Sequence, residues 1–343
     1  MAMSPFQMLD TSVKAGTRAA IEMPIARDSA GRWVTMPIRV LHGTAPGPTL
    51  LVSAAIHGDE ITGIDIIRRL LEKVNPRRIR GTLIAVPIVN PFGFVAGSRY
   101  LPDRRDLNRS FPGREDGSLA SRIAYLFRTE CMARADFGID LHSAAVHRYN
   151  FPQVRVSPSS EKALAYARAF APPIIMHSSL RDGSMRGIAL EEGLEMLLFE
   201  AGEALRFDPL STRMGVNGIL RTMEHMGMLD LKTSRKAPRV ALEASRSIWI
   251  RSSRGGIAAM RVTSGKRVQV GTVLARVRSP IDMEEEVIKS PIEGIVIGHS
   301  RMGAVNRGDA LLHIAQLGDA GFYLDPETER RLSGVMLDEH EVD

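Results

Sequence analysis

Apolar positions along the chain follow two regimes. Up to about residue 230, short apolar runs alternate with stretches where apolar residues recur every three or four positions. Within residues 21–42, Val34, Met36, Ile38 and Val40 alternate with Thr35, Pro37, Arg39 and Leu41. That pattern predicts half-buried strand, weakened by the proline. Residues 49–56 form a continuous apolar run, as in a strand buried on both faces. Ile61, Ile64, Ile66, Ile67, Leu70 and Leu71 then recur at helical spacing. Residues 82–89 predict a second buried strand, stopped by Asn90-Pro91, and residues 91–114 read as one long loop rich in Pro, Gly, Asp and Arg. Ser118 caps a helix running to about residue 135. Strands follow at 137–141, 173–176 and 195–199, with helices at 159–170 and 209–228, the last bent at Gly215 or Gly218. Such alternation predicts an α/β fold with helices on both faces of a sheet.

The second regime begins after about Lys236. Short strands with frequent glycine turns run from residue 240 to 314, with no good helix. The stretches 256–274 and 294–312 are similar, which suggests a duplicated β unit of about 38 residues. Two copies can pair face to face and bury what neither buries alone. The unit resembles the barrel-sandwich fold of biotinyl and lipoyl carrier domains. Those carriers need a lysine on a tight hairpin, whereas the connection at 279–289 is acidic at Glu284, Glu285 and Glu286, so an accessory role is expected. The expected organisation is a catalytic domain at 1–237, a β accessory domain at 238–316 and a tail at 317–343 ending in Asp338, Glu339, Glu341 and Asp343.

Composition narrows the class. The chain has 343 residues, enough for roughly two domains. Hydrophobic residues make up 44% and charged residues 24%, which excludes a disordered chain. No apolar run approaches a membrane span and no signal peptide is visible, so no membrane partner is expected. The single cysteine, Cys131, cannot form an intrachain disulfide, and the cytoplasm is the default compartment. The net charge is +6, with seven lysines among 45 basic residues. The arginines are scattered beside acids, and only 5% of residues are aromatic, so no nucleic-acid partner is expected. The remaining reading of the charge is a field that draws an anionic substrate into a cleft. A homo-oligomer is left open.

The candidate chemistry sits at predicted strand ends, where ligands bind in open α/β sheets. His57 and Glu60 form His-x-x-Glu after one buried strand, and His142 ends another in Asp140-Leu141-His142-Ser143. Two imidazoles and one carboxylate, with the fourth place for water, make an open catalytic zinc site of one ion per chain. Asp140 is placed to orient the His142 imidazole. Glu200 is a third strand-end acid, suited to general acid/base work, with Glu203 as its rival or a surface acid. In the loop, Asn108 and Arg109 pair an amide with a guanidinium, a match for a substrate carboxylate. Arg99 is the candidate for stabilising an oxyanion, with Arg104 and Arg105 as competitors. His147 and Arg148 read as pocket lining or solvated loop, and His177, His225, His299 and His313 as structural.

On these residues, positions 49–230 resemble the zinc-dependent succinylglutamate desuccinylase and aspartoacylase family, a branch of the carboxypeptidase-like fold. The matching motifs are His57-Gly58-Asp59-Glu60, Asp106-Leu107-Asn108-Arg109, Asp140-Leu141-His142 and Glu200-Ala201-Gly202. The resemblance implies a mixed sheet flanked by helices with a smaller β domain behind it. It implies His57, Glu60 and His142 as zinc ligands and Glu200 as the residue that activates water and shuttles its proton. It also implies Arg99 at the carbonyl and Asn108 and Arg109 on the substrate. The segment 110–113 departs from aspartoacylase itself, so neither aspartate nor succinylglutamate is carried over; N-acetylated diamino acids fit as well. The expected activity is hydrolysis of the amide bond of a small anionic N-acyl amino acid or related N-acylated amine. The alternatives are a metallocarboxypeptidase for short peptides and a catalytically silent binding protein.

Overall fold

A computed structural model describes residues 3–230 and 241–316. The expected domain boundary near 237 and the acidic tail lie outside the described residues. A short hairpin, β1 (Phe6–Met8) with β2 (Thr11–Val13), precedes the long antiparallel pair β3 (Thr17–Arg27) and β4 (Trp33–His42). The alternation at 34–40 does place Met36, Ile38 and Val40 inside. Next come β5 (Ala45–Ala54), α1 (Thr62–Lys73), β6 (Arg80–Val86) and α2 (Pro91–Ala96). The chain continues through α3 (Leu119–Glu130), β7 (Phe137–Ala144), β8 (Arg148–Val156), α4 (Glu161–Phe170) and β9 (Ile174–His177). Finally α5 (Met185–Glu191), β10 (Met196–Glu203) and α6 (Pro209–His225) complete the first half.

These strands form a mixed sheet. β7, buried along its whole length, lies between β5 and β10 and is parallel to both; β8 then pairs antiparallel with β10. One core lies where α1, α4 and α6 cover one face, around Ile66, Phe170 and Ile219; a second lies under α3 and α5, around Ile123, Phe127 and Met185. Helices thus flank both faces.

Three departures from the sequence reading have local causes. The predicted loop at 91–114 contains α2, because Asn90 accepts the Gly93 N–H as an N-cap and Pro91 fills the first helical position. β8 went unread because Pro152 interrupts its pattern. The proline stands beside the positions that pair with β10 and β17, in a ladder that leaves it unpaired. α6 is one helix without a break at its glycines. Gly215 lies against Ile66 and Gly218 against the Phe170 ring, so the glycines serve close packing.

The second half is antiparallel. Its strands are β11 (Leu242–Ala244), β12 (Arg246–Arg251), β13 (Gly256–Met260), β14 (Arg267–Val268), β15 (Val273–Arg278), β16 (Glu285–Lys289), β17 (Gly294–Ser300), β18 (Ala304–Val305) and β19 (Ala310–Gln316). The two similar stretches exchange short strands: β14 of the first pairs with β17, and β18 of the second pairs with β13. The result, among the described residues, is two sheets facing each other over Leu274, Val277, Val296 and Ile314, with no closed barrel. Only β11 differs, pairing parallel to β9. One of the two sheets continues into the first half, since β17 pairs with β8. Among the described residues no helix is long and apolar enough to cross a membrane.

Candidate metal centre and cavity

The β5 strand ends at Ala54, and Ala55 turns the chain with a φ of +51°. His57 and Glu60 follow before α1 begins. Gly58 permits the turn to lie against α2, because a Cβ there would meet Gly93 C at 1.9 Å. From the neighbouring β7, His142 enters the same space. One donor atom from each of His57, Glu60 and His142 lies within 4.8 Å of the others, and all three residues are buried. Glu60 holds both rings: His57 Nδ1 is 2.7 Å from Oε1 and His142 Nδ1 is 2.9 Å from Oε2. The Ser143 N–H also donates to Oε2 at 3.0 Å. Each ring is braced from behind. His142 Nε2 lies 2.7 Å from Asp140 Oδ2, and His57 Nε2 lies 3.2 Å from Asp106 Oδ1. Carboxylates behind ligating imidazoles are the usual support of a metal site, and two imidazoles with one carboxylate suit a zinc-type divalent ion, so the residues present fit the group.

The electrostatics agree with the geometry. Burial opposes charge on all three groups. It is outweighed at His142 by Asp140 and Glu60, which hold that imidazole well above its usual range, and His57 is raised more modestly by Glu60 and Asp106. Burial likewise disfavours the Glu60 carboxylate, but the two histidines hold it far below the usual carboxylate range. A carboxylate held between two imidazoles that favour their protonated forms is a site where a divalent ion would take the place of those protons.

Arg99 reaches this centre from the loop after α2. Its Nη1 is 3.3 Å from Glu60 Oε1, and its Nη2 donates to Asp106 Oδ2 at 2.9 Å. Of Arg99, Arg104 and Arg105, only Arg99 lines the cavity that opens over the cluster. Asn108 and Arg109 line it too, in a 3-10 turn (Leu107–Arg109) capped by Asp106. Part of the Asn108 amide is committed, since its Oδ1 accepts the Met185 N–H at 2.9 Å.

Glu200 stands on β10 opposite His142 in the parallel ladder. Asn150 Nδ2 donates to its Oε2 at 2.7 Å, and Arg155 lies 3.6 Å from Oε1. Glu203 is 3% exposed and takes other partners, so it is no surface acid.

The cavity, about 1300 Å³, extends beyond the residues the motifs named. Arg148, Arg155, Arg181 and Arg186 line it, as do Ser247, Trp249, His299 and His313 from the β half. Arg186 Nη1 is buried without a hydrogen-bond partner, while its Nη2 donates to Ser178 Oγ at 3.0 Å. Burial and the neighbouring Arg155 lower its pKa to about 10, which leaves it cationic at neutral pH. No spacing marked Arg186 in the sequence, because it emerges from the first turn of α5, which went unread. His177, His299 and His313, read as structural, line the cavity, and His225 does not. Arg148 lines it and His147 does not.

The profile described as "Succinylglutamate desuccinylase/Aspartoacylase catalytic domain" matches residues 46–226, more than half of the chain. The chain belongs to this family. Over 314 residues it is 30% identical to the N-alpha-acetyl-L-2,4-diaminobutyric acid deacetylase of Halomonas elongata, covering 87% of this chain and 90% of that one. A succinylglutamate desuccinylase of Burkholderia pseudomallei shares 38% over 112 residues, 28% of this chain and 31% of its own. Among solved structures, the product-bound ectoine utilization protein EutE of Ruegeria pomeroyi aligns with a TM-score of 0.78 and 27% identity, covering 92% of this chain and 99% of that one. The family member from Rhodobacter sphaeroides aligns at 0.77 and 25%, covering 88% and 96%. The two solved structures share with this family member the mixed sheet and the C-terminal β domain. The named relatives with an activity are deacylating enzymes.

Proposed function

We propose that the chain is a zinc-dependent deacylase that hydrolyses the amide bond of a small, anionic N-acyl amino acid. The observation that carries this reading is one cavity uniting the His57–Glu60–His142 donors with a second carboxylate, Glu200, on the adjacent strand. His57, Glu60 and His142 would hold one zinc ion per chain, which when bound supplies Lewis acidity and a water of lowered pKa. The remaining work falls to the chain's own side chains. Glu200 Oε1 or Oε2 takes a proton from the attacking water and delivers it to the leaving amine. Asn150 and Arg155 fix that carboxylate, so its aim does not depend on free rotation. Arg99 donates to the carbonyl oxygen as it gains charge. Arg109 and the free part of the Asn108 amide receive the substrate carboxylate, and the open Nη1 of Arg186 offers a further N–H to an anionic side chain.

The charge of the lining supports an anionic rather than a diamino substrate. Glu60 and Asp140 are committed to the histidines and Glu200 to Asn150 and Arg155, whereas five arginines besides Arg99 and Arg109 line the cavity. The β half, read as an accessory domain of 238–316, supplies one wall. A cytoplasmic setting is in keeping with a single buried cysteine. Glu200→Gln tests the reading: zinc binding should persist while deacylation falls by at least about a hundredfold. N-acetylaspartate should turn over better than N-acetyl-diaminobutyrate; equal rates for Glu200→Gln and wild type would remove Glu200 from the mechanism. A metallocarboxypeptidase for short peptides is the second reading, favoured by a cavity larger than the roughly 300–1000 Å³ usual for small ligands. Dipeptides assayed beside N-acetyl amino acids separate the two.

A further inference from the structure

Glu203 lies three residues beyond Glu200, an offset that strict strand alternation sends to the opposite face. The ladder shows otherwise. Glu200 pairs with His142 and Glu203 with Ala144, so β10 carries one extra residue across this span. Gly202, at φ +81°, accommodates the bulge. Glu203 thereby returns to the face that carries His142 and Glu200.

There its carboxylate gathers three separate segments. Oε1 accepts the His147 N–H at 3.0 Å, from the turn joining β7 to β8. Oε2 accepts from Arg301 Nη1 at 3.0 Å, from the β half just after β17, and Arg206 Nε lies 3.6 Å away. Arg301 reinforces the junction: its N–H donates to His147 O at 2.8 Å, and its guanidinium lies 5.0 Å over the Tyr149 ring. Tyr149 donates in turn to Asp208, the N-cap of α6, at 2.9 Å. The strand bearing His142, the strand bearing Glu200 and the β-half wall therefore meet at one charge pair, a buried Glu203 carboxylate and an Arg301 guanidinium at the surface.

We propose that the Glu203–Arg301 pair is a positioning latch, which fixes the end of β10, and so the Glu200 carboxylate, relative to His142 and holds the β-half wall over the cavity. It rests on the deacylase reading for its effect on rate, but not for its effect on structure. Removing Arg301 leaves the buried Glu203 carboxylate without its nearest cation, and neutralising Glu203 weakens the tie of β10 both to the His147 turn and to the β half. The full-length, zinc-loaded protein is compared with Glu203→Gln, Arg301→Ala, Arg301→Lys and the Glu203→Gln/Arg301→Ala double variant. The readouts are kcat, KM, bound zinc, Tm and amide hydrogen exchange over residues 145–149 and 300–304. For Glu203→Gln and Arg301→Ala, kcat should fall about tenfold to a hundredfold, as expected of a small misplacement of a reacting group, with KM and zinc content little changed. The double variant should be no slower than the slower single one, since both remove one interaction. Arg301→Lys should restore most of the rate. Exchange should rise in both segments in the two impaired variants and not in Arg301→Lys. An unchanged kcat, additive losses, or a loss that tracks zinc release would overturn the latch. A wild-type protein without deacylase activity would refute the proposed function instead; unchanged exchange in the impaired variants would then still overturn the latch.

Discussion

The support behind His142 gives a prediction whose size can be worked from the structure. Asp140 Oδ2 lies 2.7 Å from His142 Nε2, and Asp140 Oδ1 accepts the Ser53 hydroxyl at 2.7 Å. All three side chains are buried. Asp140→Asn keeps the shape and removes the charge. Its oxygen can still face the imidazole, with its NH2 turned to Ser53, whose hydroxyl rotates to accept. The lost quantity is therefore the charge-assisted part of one hydrogen bond. Bonds to charged groups contribute about 1.5–3 kcal/mol and neutral ones about 0.5–1.5, a difference of about 1–2 kcal/mol. At 1.4 kcal/mol per factor of ten, zinc should bind about five- to thirtyfold more weakly. That range overlaps the roughly tenfold to hundredfold effect of removing the carboxylate behind a ligating histidine. Competition between the protein and a chromophoric chelator measures it directly. Deacylation by Asp140→Asn should recover as zinc is raised, because the carboxylate supports the ligand without touching substrate. Wild-type zinc affinity in Asp140→Asn would refute the role assigned to Asp140; a rate that zinc cannot restore would show a further role in the reaction.

Other perturbations probe separate parts of the molecule. Arg186→Ala should raise KM for N-acetylaspartate by about tenfold to a hundredfold, from a lost charge-assisted contact of about 1.5–3 kcal/mol, and leave N-acetylalanine nearly unaffected; equal effects on both would exclude a side-chain anion contact. Gly218→Ala places a Cβ 2.2 Å from the buried Phe170 ring. Overpacking costs of about 1–3 kcal/mol exceed the roughly 1 kcal/mol that alanine gains in helix propensity, so urea unfolding should show net destabilisation, and a more stable variant would contradict the packing. Burial, with Arg155 beside it, lowers the His313 pKa from 6.5 to about 3. Between those values the unfolded chain takes up a proton that the folded chain refuses, so stability falls as pH drops through that window, at up to about 1.4 kcal/mol per pH unit. His313→Gln should flatten the slope of Tm against pH below 6.5, and an unaltered slope would rule out His313 as its source.

The predicted strands of the first half follow from burial: residues 49–56, 82–89 and 137–141 are largely covered on both faces and so are mostly apolar, with Ser53 and Asp140 as hydrogen-bonded exceptions. The same run placed His57, Glu60 and His142 at strand ends, where the structure brings them together. What the pattern hid is non-periodic or non-local. β8 carries Pro152 inside it, and β8 is the strand that both supplies Asn150 and Arg155 to Glu200 and joins the two halves by pairing with β17. The β-half contribution to the cavity depends on that pairing, which no window of sequence contains. His299 and His313 looked structural for the same reason: their neighbours are distant in sequence, and the cavity exists only once β17 and β19 extend the sheet.

The glycine after Glu200 illustrates how a motif can encode geometry beyond its chemical residue. Glu200-Ala201-Gly202 draws attention to the acid, but the register of Glu203 depends on the glycine. Without an extra residue at this point, Glu203 would face the core that Ala201 enters, where Ile66, Leu141 and Phe199 leave no partner for a carboxylate. With it, the next acid meets Arg301 and the His147 N–H. The proton transfer proposed for Glu200 needs that carboxylate held at a fixed distance from the donors of an adjacent strand. A bulge just beyond the acid and the Glu203–Arg301 pair at its far side supply that rigidity while β10 stays in the sheet. The junction of the two halves thus falls where the carboxylate proposed to react needs support, which gives a reason for a β unit that supplies none of the candidate zinc ligands to be joined to the mixed sheet through β8.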